Sequence, residues 1–203
     1  MKLNLLIIAS FPPPYHGASI YVKKLREALL RDGEFEIYVI DTSDHRDDIN
    51  NLGKLDFLNI YSALKSIFKL VITLLKNKID VVYIPISQNA LAYFRDAIFI
   101  LISKLFGSKV VVHLHGSYFR DFYDKSPKFY KKIIDISIKK VDGAIVLGEK
   151  LRYIFQKWLP DKKIYVLPNF IKWNFEITRD LKTKFNHADK PVVISYLGNL
   201  IVS

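Results

Sequence analysis

Short runs of aliphatic and β-branched residues alternate with longer segments of helical period along most of this chain, and that alternation restricts its fold most. Parallel strands need helix-length crossovers, so the pattern is typical of successive βαβ units. Residues 81–84 and 110–112 are hydrophobic almost throughout, which indicates strands that are covered on both faces. We therefore predict a doubly wound α/β domain with a parallel sheet and helices on both sides.

The predicted elements follow one another in order up to residue 167. Strands are predicted at 3–9, 36–41, 81–84, 110–113, 143–147 and 163–167, and helices at 18–31, 58–77, 91–106, 127–140 and 150–158. Residues 168–189 show no clear period, and 191–197 read as a new buried strand. We predict one domain over residues 1–190 and the start of a second over 191–203.

The composition favours a protein of the reducing cytoplasm that is soluble or peripheral to a membrane. Half of the 203 residues are hydrophobic and none is cysteine, so packing without disulfides must stabilise the fold. Ser10 and the prolines after it end the first apolar run too early for a secretory signal or a membrane span. No later run reaches the ~18 apolar residues that a span requires.

The net charge of +11 favours polyanionic partners such as nucleic acid, acidic lipid or phosphorylated substrates, although a general bias toward lysine would also produce it. The lysines are spread over several predicted helices, and no nucleic-acid recognition motif is present. We therefore do not predict nucleic acid as a partner. A noncatalytic role in binding sugars or nucleotides stays open at this point.

The predicted helix 58–77 has a polar, basic arc of ~100°. The arc consists of Ser62, Lys65, Ser66, Lys69, Thr73 and Lys76. A helix of a doubly wound sheet most simply packs its other side into the core and leaves the lysines in solvent. The functional alternative is docking on an anionic membrane. In that case a second group of lysines would assist, namely Lys128, Lys131, Lys132, Lys139 and Lys140.

Ligands of open parallel sheets bind outside the carboxyl ends of the strands, so the loops that leave those ends are the candidate sites. Residues 10–19 form a proline-rich loop in which Gly17 begins a helix and can admit a ligand to free N–H groups. The loop is neither a G-x-G-x-x-G nor a Walker sequence. An ordinary proline-rich turn would explain it equally well.

The loop after the fourth predicted strand carries two histidines on the same face, His113 and His115. His115 lies at the strand end, where a neutral imidazole can hydrogen-bond to a sugar hydroxyl or accept its proton. We expect His113 to be a core residue. No third ligand follows at a suitable spacing, so we predict no metal site.

Two further loops contain Glu149 and Asn169. Glu149 stands at the start of a predicted helix, where it can bind a ligand or simply interact with the helix dipole. Asn169 follows a proline, where it can contact a ligand or only form an Asx turn.

Together these loops resemble the amino-terminal domain of GT-B glycosyltransferases of family four, a Rossmann-like domain. His16 and Gly17 stand where the family's first loop ends in two glycines, and His115 matches its active-site histidine. Residues 146–150 are similar to the valine-serine-glutamate segment, with Gly148 in place of serine. Residues 167–169 resemble the interdomain proline-asparagine signature, with Phe170 instead of glycine. Residues 196–200 resemble the first strand of the nucleotide domain, with Asn199 where arginine is common.

The resemblance implies a retaining transferase of cell-surface polysaccharide or lipopolysaccharide synthesis that uses a nucleotide-diphospho-sugar as co-substrate, without a metal or other cofactor. The acceptor would be a saccharide or a lipid-linked sugar, and the loop 118–125 would help to form its pocket. His115 would be the catalytic residue. The implied substrate-binding residues are His16, Gly17, Gly116, Ser117, Tyr118, Arg120, Glu149 and Asn169. The donor-phosphate groups would belong to the second domain, so this chain alone is predicted to be inactive.

Overall fold

The six predicted strands form one parallel sheet in the computed structural model, which describes residues 2–13, 15–43 and 57–169. The strand order is β2-β1-β3-β4-β5-β6, and every neighbouring pair is parallel. The strands are β1 Leu3–Ala9, β2 Phe35–Asp41, β3 Val81–Pro85, β4 Lys109–His113, β5 Gly143–Val146 and β6 Ile164–Val166. Each overlaps its predicted range, and the doubly wound α/β prediction is confirmed.

In the described parts of the chain, five α-helices lie between these strands. They are α1 Gly17–Asp32, α2 Phe57–Lys76, α3 Ala90–Leu105, α4 Phe119–Lys125 and α5 Lys128–Ile138. Two short 3₁₀ helices follow β5 and precede β6, at Glu149–Ile154 and Asp161–Lys163.

The helices cover opposite faces of the sheet, as predicted. Alternate residues of β1 enter two separate apolar clusters: Leu6 packs with α2, α3 and α5, whereas Ile7 packs with Val22 of α1. The reason is the strand order, because β2 and β3 lie on opposite sides of β1. Right-handed crossovers to opposite sides put α1 and α2 on opposite faces.

Helix α4 lies in a segment predicted as a loop. The prediction missed it because Phe119–Lys125 is only seven residues long and too short to show a clear period. Tertiary packing stabilises it: Phe119, Phe122 and Tyr123 are all buried, and Phe119 contacts the rings of Tyr93 and Trp158.

The helix predicted at 150–158 differs in type and length: the chain forms a 3₁₀ helix over Glu149–Ile154 and continues in turns. The N–H groups of Leu151 and Phe155 donate to the carbonyls three residues earlier. Phe155 and Trp158 are both buried, and Phe155 stacks on Phe119 of α4. The 3₁₀ winding of Glu149–Ile154 directly precedes these two buried side chains.

Asp142 joins the loop before β5 to β4 and α3. Its Oδ2 accepts hydrogen bonds from the backbone N–H of Val110 and from Lys104 Nζ, both at 2.8 Å. Burial alone would raise the pKa of Asp142, but these two bonds lower it overall. The carboxylate therefore holds the amino end of β4 in register.

We expect Asp142→Ala to lower the free energy of unfolding by about 1–2 kcal/mol, because the buried Val110 N–H loses its acceptor. The measurement is urea unfolding at neutral pH. The matched control is Asp124→Ala, which removes the exposed (i,i+4) pair with Arg120 and should cost less than about 0.5 kcal/mol. Equal losses for the two variants would contradict this role of Asp142.

Several predictions fall outside the described residues: the strand at 191–197, the domain boundary at 190, and the family-like positions Phe170 and Asn199. Within residues 2–13, 15–43 and 57–169, no helix is long and apolar enough to cross a membrane.

Candidate functional site

A cavity of about 270 Å³ opens where the chain direction across the sheet reverses, between the carboxyl ends of β1 and β3. This is the point at which open α/β sheets bind ligands, because the loops on either side diverge and leave a crevice. Its polar lining residues include Ser10, His16, Thr42, Ser87, Gln88, Asn89, Arg95, Asp96 and His115.

A second cavity of about 350 Å³ lies at the opposite edge, lined by the first residues of β1, β3 and β4. It is larger, but no helix N-terminus and no histidine lines it. The strand-end cavity brings both features together, so we take it as the candidate site.

His16 caps the first turn of α1 at one side of the cavity. Its Nδ1 accepts a hydrogen bond from the N–H of Ser19 at 3.3 Å, and Ser19 Oγ accepts from the N–H of His16 at 3.1 Å. The φ angle of His16 is −141°, which is ordinary extended backbone, so this position does not need glycine. Burial lowers the pKa of His16, which favours its neutral form.

His113 and His115 stack on each other at the end of β4, with their ring centroids 4.0 Å apart. Tyr21 of α1 contacts both rings edge-on, and Tyr83 Oη lies 2.7 Å from His113 Nδ1. His113 is fully buried, as predicted, whereas His115 lines the cavity. The two stacked histidines therefore differ in accessibility: His113 ends β4 inside the core, whereas His115, two residues beyond the strand, faces the cavity.

Both imidazoles are neutral at physiological pH. Burial, with a smaller effect from the charge of His115, lowers the pKa of His113 to about 3. Burial lowers the pKa of His115 to about 4; the Asn169 side chain opposes that shift and His16 adds to it. The structure thus brings His16, His115 and Asn169 to one place.

Three buried polar atoms of the cavity walls have no hydrogen-bond partner in the described part of the chain: both ring nitrogens of His115 and Oε1 of Gln88. Asn169 lies close enough to affect the charge of His115, but no bond of good geometry reaches either nitrogen. A neutral imidazole offers one donor and one acceptor. Leaving such groups unpaired is costly, and a ligand rich in hydroxyls can satisfy them.

The β3–α3 connection forms the other wall, and the sequence interpretation missed it. Asp96 is 1% exposed and accepts the Ser87 N–H at 2.8 Å and the Arg95 guanidinium at 2.9 Å. Asn89 caps α3 by accepting the Ala92 N–H at 3.0 Å. A cap residue at the start of an apolar helix, followed by an isolated aspartate, was the available signal.

Gly116 permits a close contact between the two walls. A Cβ atom at this position would lie 2.5 Å from Nε2 of Gln88. The absence of a side chain at Gly116 therefore lets Gln88 lie directly beside the His115 loop.

The remaining predicted site residues are not among the described residues that line the cavity. Tyr118 contacts the Lys125 ammonium, Arg120 pairs with Asp124 at 2.9 Å, and Glu149 pairs with Arg152 at 3.7 Å. Ser117 is exposed, and Gly17 has open space where a side chain would be. Binding roles for these residues remain predictions.

A sequence model described as Glycosyltransferase Family 4 matches residues 15–173. The chain belongs to glycosyltransferase family 4. The match spans α1, the β3–α3 connection and the His115 loop, so it includes residues of both walls of the cavity. No curated protein sequence matches the chain.

The solved structure of UDP-N-acetylglucosamine 2-epimerase from Rickettsia bellii is similar to this family 4 domain in fold. The TM-score is 0.53 at 14% sequence identity, with 83% of this chain covered. The chain spans 45% of the epimerase chain, slightly under half its length. The similarity confirms the α/β architecture of the family 4 domain.

Within the described residues of the family 4 domain, no group of three histidine, cysteine or acidic side chains is placed to hold a metal ion. The residues that line the cavity offer hydrogen bonds from neutral imidazoles, amides and hydroxyls, beside the Arg95–Asp96 ion pair.

The buried His113 should make the family 4 domain less stable in mild acid. Its pKa is about 3 in the folded chain and 6.5 as a free side chain, so between these values the unfolded chain binds more protons. The stability that folding gains from a neutral His113 is complete well above pH 6.5 and is lost as the pH falls from 6.5 toward 3. Wild type should lose about 2 kcal/mol more than His113→Asn between about pH 7.5 and about pH 5 in urea unfolding. Equal losses would contradict a neutral, buried His113.

Proposed function

We propose that this domain is the acceptor-binding half of a nucleotide-sugar-dependent glycosyltransferase that transfers a hexose with retention. Family membership supports sugar transfer, and the observation that carries the proposal is the cavity at the strand ends with three unpaired polar atoms. Sugar hydroxyls both donate and accept hydrogen bonds, which is what the amide oxygen of Gln88 and a neutral His115 require.

The donor would be a nucleotide-diphospho-sugar held between this domain and a second lobe. The length of the epimerase, about twice that of this chain, supports a partner lobe. In the closed site, His115 would hydrogen-bond to the transferred sugar while remaining neutral. The N-terminus of α1 beside His16 offers a positive dipole end for a phosphate group.

The acceptor would be a saccharide or a lipid-linked sugar in the assembly of cell-surface polysaccharide or lipopolysaccharide. With such an acceptor, the protein would work in the cytoplasm or peripherally on the inner face of the plasma membrane. The net charge of +11 supports association with an anionic membrane. Nothing in the described fold favours nucleic acid as a partner.

A noncatalytic sugar- or nucleotide-binding module is the second candidate, because the same cavity could bind a ligand without a reaction. The two functions differ in their products. A transferase converts a nucleotide sugar into a glycosylated acceptor, whereas a binding module only changes its stability in the presence of the ligand.

The deciding experiment supplies the full-length protein with a panel of radiolabelled nucleotide sugars and saccharide acceptors. Transfer from one donor by the full-length protein, with little or none by the 203-residue chain alone, is the expected result. Efficient turnover by the 203-residue chain would contradict the requirement for a second lobe. Thermal stabilisation by a nucleotide sugar without any transfer would favour the binding module.

A further inference from the structure

The outward face of α2 differs from the prediction for this helix. Leu64, Phe68 and Leu75 are 60–66% exposed, whereas Ser66, predicted to lie in solvent, is 5% exposed and donates to the Ser62 carbonyl. The helix packs into the core through Leu70 and Leu74. The apolar surface of α2 is therefore wider than the strip that the core covers.

The exposed apolar residues and the lysines form two adjacent stripes along α2. At ~100° per residue, Leu64, Phe68 and Leu75 fall within an arc of ~40°. Each apolar position has a basic residue on the neighbouring arc, ~100° further around the helix. These lysines are Lys65, Lys69 and Lys76, all exposed.

All charged residues within α2 are lysines. Residues 57–76 contain no aspartate or glutamate, and the chain as a whole carries +11. A two-fold dimer through α2 would place one lysine stripe near the other, which opposes self-association. An anionic surface with an apolar layer beneath it matches both stripes, since lysine stems can lie along apolar material while the ammonium groups reach charged head groups.

We propose that the outward face of α2, made of Leu64, Phe68 and Leu75 beside Lys65, Lys69 and Lys76, docks on an anionic lipid bilayer. The apolar stripe enters the head-group boundary and the lysines contact acidic lipids. The side chains of Phe94 and Leu105 on α3, which packs beside α2, are also exposed. The docking itself does not depend on the proposed function. Only its role, which is to bring the site to a lipid-linked acceptor, rests on that function.

The test is cosedimentation of the 203-residue chain with phosphatidylcholine vesicles, with and without phosphatidylglycerol. Binding is expected only with phosphatidylglycerol, and it should weaken as salt increases. Two triple variants remove one stripe each: Leu64→Gln with Phe68→Gln and Leu75→Gln, and Lys65→Gln with Lys69→Gln and Lys76→Gln. The lysine variant should bind on the order of 100-fold more weakly, because each lysine contributes about 1 kcal/mol near such a surface.

The matched control changes exposed residues of α1, on the opposite face of the sheet: Ile20→Gln with Lys23→Gln and Leu30→Gln. Its affinity should equal that of wild type. All variants lie at exposed positions, and circular dichroism melts would verify that they fold.

Three results would overturn the docking surface: no binding to anionic vesicles at low salt, equal weakening by the α1 and α2 variants, or unchanged binding of both α2 variants. Sedimentation without lipid tests the second-copy alternative, which predicts a dimer that only the apolar variant dissociates. Transfer to a soluble acceptor by the full-length protein is measured separately. If the full-length protein showed no such transfer, the proposed function would be wrong, but the vesicle-binding result would still hold.

Discussion

Replacing His115 with alanine is expected to lower the rate of sugar transfer by the full-length protein by at least about 100-fold. The imidazole lines the strand-end cavity, and neither of its ring nitrogens has a hydrogen-bond partner in the part of the chain that the structure describes. In the proposed function, a sugar hydroxyl would complete these hydrogen bonds in the substrate complex and in the transition state. Alanine removes both the donor and the acceptor, and the measurement is steady-state kinetics with the best donor.

Two comparison variants make this result specific. His115→Asn keeps one donor and one acceptor, so it should retain more activity than the alanine variant. Lys23→Ala on the exposed side of α1 should leave turnover unchanged. Undiminished transfer by His115→Ala would remove the main site assignment. The low pKa of His115, about 4, also predicts that activity does not fall with a histidine-like profile near pH 6.5.

Asp96→Ala should produce the largest loss of stability, about 3 kcal/mol of unfolding free energy. Asp96 is 1% exposed, and its two oxygens accept from the Ser87 N–H and the Arg95 guanidinium. The variant leaves both donors unpaired at the cavity wall. Arg95 is 26% exposed, so water relieves part of the cost and the effect stays at the lower end for a buried ion pair.

Urea unfolding at neutral pH measures this effect, with Asp121→Ala on the exposed side of α4 as the matched control. The control should change stability by less than about 0.5 kcal/mol. Asp96→Asn can still accept from Ser87, so its loss should be intermediate. A loss below about 1 kcal/mol for Asp96→Ala would show that the β3–α3 loop does not depend on this carboxylate.

Most of the fold could be predicted because its signals are local. Strands β3 and β4 lie in the middle of the sheet and are recognisable as short hydrophobic runs. Helix α4 lacked such a signal, since its stability comes from Tyr93 and Trp158, which are distant in sequence. The same aromatic cluster accompanies the 3₁₀ winding of Glu149–Ile154.

The candidate site could be predicted only in part. His16 and His115 follow strand ends and are unusual residue types there, so the sequence named both as candidates, and both line the cavity. Gln88 and Arg95 were missed, because an amide and an ion-paired arginine near a helix start have no distinctive spacing. Glu149 follows a strand end as well, yet it is 76% exposed and pairs with Arg152.

The order of apolar and polar residues by itself determined that this chain alternates strands with helices and that polar loops follow the strand ends. Tertiary structure decided which loops meet, because the position of β1 between β2 and β3 places the α1 and α3 helix starts on either side of one cavity. It also decided which side of α2 faces solvent. Hydrophobic periodicity predicts how much apolar surface a helix has, whereas the elements that pack against the helix determine how much of that surface is buried.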